Sequence, residues 1–193
     1  MHPILREYES RIDAICGTMV RVCFSLPAQR NNLRKLASEV CVPLDTPLRS
    51  SSFTQNSFDD IHTATIRDQL LSLEEGGIDE VFVGNICISF VYSLWEDNYR
   101  LALAKQCGTK KNAVRSELFR ELGTYRHAIV HNLAVGTSKT EKLKLLPRVP
   151  KDATLKVDRH TFELIVSLVK KELHAISRHA IAAQPGGQPD TAR

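Results

Sequence analysis

The stretch Gly123-Thr-Tyr-Arg-His-Ala-Ile-Val-His-Asn132 places an arginine and two histidines around an otherwise apolar core. Histidine titrates near neutral pH and can take or give a proton. Arginine keeps its charge and forks onto two oxygens of a carboxylate or phosphate. Arg126 therefore suits anion binding, and His131 suits proton transfer. His127 and His131, at i and i+4, lie about 40° apart on a helix and could instead begin a zinc site. That site would need a third ligand, and the HExxH glutamate is replaced by Ala128. His160, His174 and His179 could supply one, but their spacing does not require it.

On a helix turning about 100° per residue, Arg126 and His131 point about 140° apart. They can act on one group only if the helix ends or bends near Val130, or if a second copy of the chain brings its own pair alongside. Asn132 and Gly136 are the expected breakers.

The elements that carry the motif read as an all-α bundle of about five to six helices. Ile4, Tyr8, Ile12, Ile15, Met19, Val22 and Leu26 repeat at helical spacing, and Pro27 is the expected stop. A short helix follows over residues 31–40, then a loop through the prolines and hydroxyls of 43–57. Asp59 or Asp60 is expected to cap a third helix ending at Gly76-Gly77. Asp79 should cap a buried central helix through "LALAKQ", which Cys107-Gly108 breaks. Ala113 to His131 forms the motif helix, with Val114, Leu118, Leu122, Tyr125 and Ile129 on its apolar face. A last helix runs from Asp158 to about Ile181. Residues 1–60 read as a helical segment packed on a 61–182 domain, and 183–193 as a disordered tail.

In the central helix, Glu96 and Arg100 are four apart and can pair, or Glu96 can buttress Arg126. The segment 138–159 carries seven basic and three acidic residues, a net +4 equal to the formal excess of the whole chain. Lys139, Lys142 and Lys144 can contact phosphates without regard to sequence, or simply solvate a loop. The five cysteines are odd in number and lack a CxxC pair, which points to free, buried thiols in a reducing compartment. No signal-like region opens the chain. The apolar run 81–95 is short and interrupted, so a cytoplasmic protein is expected.

Arg126, His127, three further residues and His131, followed by Asn132, resemble the signature of the HEPN superfamily of small helical domains. The resemblance covers roughly residues 60–181, including "SLWEDNYR", the basic loop and the last helix. It implies a homodimeric, metal-independent endoribonuclease with no cofactor, its two motifs facing each other. Arg126 would stabilise the phosphate, His131 would move protons, and His127, Asn132, Glu96 and Arg100 would support them. Attack by the 2′-hydroxyl would leave a 2′,3′-cyclic phosphate. The resemblance further implies a toxin or antiphage effector acting on RNA such as tRNA, restrained by an antitoxin. The alternatives are a non-catalytic HEPN-like module for dimerisation or for binding RNA or protein, and a hydrolase with metal at His127 and His131.

Overall fold

The computed structural model describes residues 1–54 and 57–182, with side chains for 1–49 and 63–178. Among the described residues the order is α1 (Pro3–Glu39), β1 (Pro47–Thr54), β2 (Ser57–Thr65), α2 (Ile66–Ser72), α3 (Ile78–Leu94), a π-helical turn (Trp95–Tyr99), α4 (Arg100–Gln106), α5 (Glu117–His131) and α6 (Arg159–Ala182). The bundle is all-α apart from one antiparallel hairpin. α3, the π turn and α4 form one continuous rod, so the helices make five rods.

α1 buries Tyr8, Ile12, Met19 and Leu26 of its predicted stripe, with Leu5 fully buried in place of Ile4; Ile4, Ile15 and Val22 are half-buried. It does not stop at Pro27, which sits inside a helix of 37 residues, about 55 Å long at 1.5 Å per residue. An internal proline costs a hydrogen bond, and packing on both sides offsets that loss. Before Pro27, Leu26 is buried. Beyond it, Ala37 joins Ile66 and Leu70 of α2 in a second small core, and Arg30 pairs with Glu74. The separate helix expected at 31–40 is thus the second half of α1.

The stretch expected to be a loop is instead the hairpin, paired from Pro47 opposite Thr65 to Thr54 opposite Ser57, with an irregularity between Ser50 and Ser51. Proline suits the first position of a strand, where no ladder donor is needed. The backbone of Asp59 and Asp60 lies in β2, and their side chains are outside the described set. The third helix starts later, at a capping box in which Thr65 accepts from the Asp68 backbone and Asp68 returns the bond.

The central rod is the helix expected. Gly77, rather than Asp79, is its N-cap, with Asp79 and Glu80 in the first turn. Ile88, Val91, Trp95 and Leu103 are buried along it. Cys107 caps its end, and Gly108 follows at φ 64°. The helical run Ile78–Gln106 is 29 residues long with mean hydropathy 1.3, enough to cross a membrane by length and composition. With 44% of its most apolar window buried in the fold, it is consistent with the core helix of a soluble protein. Its outer face carries exposed Ile78, Phe82, Ile86 and Phe90 at four-residue spacing.

α5 begins at Glu117, four residues after the expected start, because the Ser116 hydroxyl accepts from the Phe119 amide at 3.2 Å and serves as N-cap. Ala113 belongs to a separate 3-10 turn. α6 begins at Arg159, with Asp158 accepting from the Thr161 amide at 2.8 Å, as its sequence suggests. The tail from Gln184 is outside the described residues. Of the cysteines, all free, only Cys87 is buried; Cys16, Cys23 and Cys107 are half-buried, and Cys41 is exposed.

Between α5 and α6 the chain forms an irregular strap. Leu143, Leu146, Val149, Leu155 and Val157 are buried in the main core, while Lys139, Lys142 and Lys144 face solvent. A buried α5 carboxylate, Glu121, accepts from the amides of Lys144, Leu145 and Leu146 at 2.8–2.9 Å. The Tyr125 hydroxyl donates to the Pro147 carbonyl at 2.6 Å. Gly84 lets the far end of the strap lie against α3, since a Cβ there would sit 1.9 Å from the Val157 carbonyl oxygen.

Candidate active site

α5 turns Leu118, Leu122, Tyr125 and Ala128 into the core. The motif takes the remaining directions: Arg126 and Asn132 are half-buried, and His127 and His131 are exposed. The two imidazole centroids are 4.9 Å apart, one turn from each other on the same outer stripe.

The helix is regular through His131 and is capped by Asn132. It does not bend at Val130, so the divergence of about 140° between Arg126 and His131 persists within one chain. Just beyond the motif, Leu133 and Ala134 both adopt left-handed φ, 52° and 59°. Left-handed φ is uncommon for residues with a Cβ, and tertiary hydrogen bonds hold this pair in place. The Ala134 amide donates back to Ala128 at 3.0 Å, and its carbonyl accepts from Leu155 at 2.7 Å. Gly136, expected as a breaker, serves a different need. A Cβ there would meet the Pro150 oxygen at 2.2 Å, so glycine lets the strap fold over itself.

Glu96 and Arg100 pair at 2.8 Å as their spacing suggests, and Lys111 grips the other Glu96 oxygen at 2.8 Å. Burial pushes the Glu96 carboxyl up, but its two cationic partners pull harder and hold it below the usual value. Glu96 does not buttress Arg126. Among the described residues Arg126 has neither a hydrogen bond nor an ion pair. Its charge is felt at Tyr92, whose hydroxyl is pushed up by burial and by Glu96, against the opposing charges of Arg100, Arg126 and Lys111.

Beside the motif lies a cleft of about 700 Å³ between the outer face of α5, the π turn and the start of the strap. His127, Glu96, Arg100 and Lys139 line it together. Arg126, His131, Asn132, Lys142 and Lys144 do not. Tyr92, Arg115 and Glu121 were missed in the sequence. Tyr92 carries a signal in hindsight, four residues before Glu96 on one helical face. Glu121 and Lys111 act across chain separations that no local pattern encodes. The π turn, a feature often found at functional sites, also had no sequence mark.

Among the described residues no group of three His, Cys, Asp or Glu side chains could hold a metal ion. His174 lies 3.8 Å from Glu9 on the α1 side of α6, and the His179 side chain is outside the described set. No protein-family model matches the chain, and neither a curated protein nor a solved structure is significantly similar to it.

Proposed function

We propose that the chain is a HEPN-like, metal-independent endoribonuclease acting as a homodimer, with Arg126 of one subunit and His131 of the other addressing the same phosphate. The observation that carries this reading is Arg126 itself: a half-buried guanidinium that no acid among the described residues neutralises, because Glu96 is committed to Arg100 and Lys111. A cation left uncompensated on a helix flank is poised for an external anion. His131 stands exposed at the end of the same helix. The helix geometry keeps the two apart in one chain, so a second copy supplies the missing partner.

The chemistry follows from these groups. The 2′-hydroxyl attacks the adjacent phosphorus, and the bond to the leaving 5′-oxygen breaks. A 2′,3′-cyclic phosphate and a 5′-hydroxyl result. Arg126 neutralises the charge that builds on the non-bridging oxygens, and His131 takes a proton from the attacking 2′-hydroxyl or gives one to the leaving 5′-oxygen. Lys142 and Lys144 extend the path for the phosphate backbone. Asn132 ends the helix so that His131 stays exposed. The same resemblance points to a cytoplasmic toxin or antiphage effector on tRNA-like targets, held by an antitoxin.

The test is incubation of the protein with a tRNA pool in excess EDTA, beside Arg126→Ala and His131→Ala variants of native helicity. Fragments ending in cyclic phosphate from the wild type alone are expected. Cleavage that EDTA abolishes would move the assignment to the His127 and His131 metal reading. Equal cleavage by either variant would end the one proposed here.

A second reading, a non-catalytic dimerisation module, is favoured by one specific observation: the exposed Ile78, Phe82, Ile86 and Phe90 stripe on α3. Phe90 and Tyr92 point about 160° apart on α3, so a dimer built on the stripe would turn the motifs away from each other. Sedimentation of Phe82→Ser/Phe90→Ser separates the two readings. A dimer that survives leaves the motif seam in place, and one that dissociates supports the module.

A further inference from the structure

The cleft beside the motif has a layered chemistry that the proposed cleavage step does not use. Its floor rests on a buried aromatic pair: Trp95 and Phe119 stack on each other with centroids 4.1 Å apart and planes 10° apart. Tyr92 forms one wall, its ring packed against Gly123 one turn before the motif. The rim is cationic. Two of the lining acids are neutralised locally, Glu96 by Arg100 and Lys111, and Glu117 by Arg120. That leaves Arg115 and Lys139 with no ion pair among the described residues. Arg115 spends only its Nε, on the Asn112 carbonyl at 3.1 Å, so its terminal nitrogens have no hydrogen bond among the described residues. His127 completes the rim from α5.

A concave cleft with a half-buried tyrosine wall and two cations free of ion pairs among the described residues fits a base with its phosphate, and about 700 Å³ lies within the range of small-molecule pockets. Single-stranded nucleic acids are bound by this combination of π surface and backbone cations. The tether matters as well. Lys139 begins the strap that Glu121 and Thr140 fasten to the core. The Thr140 hydroxyl donates to Val149 at 2.8 Å and accepts from the Thr137 amide at 2.8 Å. The cation is thus carried on a fixed backbone rather than a free loop.

We propose that this cleft is a nucleotide subsite. It would hold one nucleotide neighbouring the scissile bond, its base against Tyr92 and its phosphate between Arg115 and Lys139. His127 then faces bound RNA and does not orient Arg126. This assignment rests on the ribonuclease reading for the identity of its ligand, and it locates the strand relative to the motif.

The test uses the full-length chain and a fluorescent 2′-O-methyl tetranucleotide pool, which lacks the nucleophile and survives intact. Anisotropy is recorded for the wild type, for Arg115→Ala/Lys139→Ala, and for Thr124→Trp, which fills the cleft without removing a charge. Circular dichroism first establishes native helicity for each. Both variants should bind about tenfold or more weakly. Loss of the two cations should also flatten the logarithmic salt dependence by about 1.4, which a merely structural effect would not do. Nucleoside monophosphates should compete with the probe. Competition by inorganic phosphate equally well would reduce the cleft to a simple anion site and overturn the nucleotide assignment. Equal binding by wild type and both variants would overturn it too, as would no binding by wild type at about 1 mM probe. Cleft-dependent binding without cleavage of native RNA would keep the subsite and remove the ribonuclease reading. Cleavage with an unchanged KM in both variants would do the reverse.

Discussion

The stretches 43–65 and 132–158 both lack helical periodicity, yet the fold treats them in opposite ways. The first becomes a regular antiparallel hairpin attached at its ends, where Leu48 and Val42 pack on the small Ala37, Ile66 and Leu70 cluster. The second has almost no regular structure, only a 3-10 turn and a single bridge between Val135 and Thr154. It nevertheless buries five aliphatic side chains and hangs on Glu121. Backbone regularity and attachment are therefore separate properties. Attachment is what a site needs, because a lysine on a tethered backbone keeps its position relative to α5.

The contrast can be broken at the strap first. Glu121→Ala leaves three amides without their acceptor, one of them in buried Leu146. It should cost about 3–5 kcal/mol, read as a fall in the urea midpoint, since each hydrogen bond to a charged group is worth about 1.5–3 kcal/mol. Gly84→Ala forces a methyl into the Val157 carbonyl and should cost about 1–3 kcal/mol in the same experiment. Faster hydrogen exchange at the Leu155 amide should accompany it. At the hairpin the effects shrink. Thr65→Ala removes the capping box of α2 and should cost about 1 kcal/mol. Arg67→Ala removes an exposed pair with Asp45, 2.9 Å long, and should leave the urea midpoint essentially unmoved. A reversal, with the hairpin changes costing more than the strap changes, would mean that the regular segment is the better anchored one.

Sequence and structure agree where one local period dominates. The main part of the α1 stripe, the central rod, the buried face of α5 and the start of α6 to within one residue of Asp158 were legible, because each is written in residues three or four apart. Pro27 misled because its local cost is offset by α2, which arrives from later in the chain. The hairpin was missed because its serines and threonines carry no helical period and were read as a loop. Its boundary with α2 was in fact marked by Thr65 and Asp68. At the site, the pairing of Glu96 with Arg100 followed from spacing. The third partner, Lys111, and the Glu121 anchor depend on tertiary approach alone. α5 ends at Asn132, one of the two expected breakers, but it stays helical through His131, so the divergence of Arg126 and His131 read from the spacing remains within one chain.

That geometry makes the central claim testable in one mixing experiment. Arg126→Ala and His131→Ala proteins, each inactive alone, are unfolded together, refolded at equal concentrations and assayed on tRNA in EDTA. If Arg126 and His131 meet across a two-fold axis, each mixed dimer retains one intact composite site. The mixture should then recover about one quarter of the wild-type rate. If the two residues serve one phosphate within a single chain, every site in the mixture lacks one of them. A mixture as inactive as its components, with mixed dimers demonstrably formed, would contradict the account.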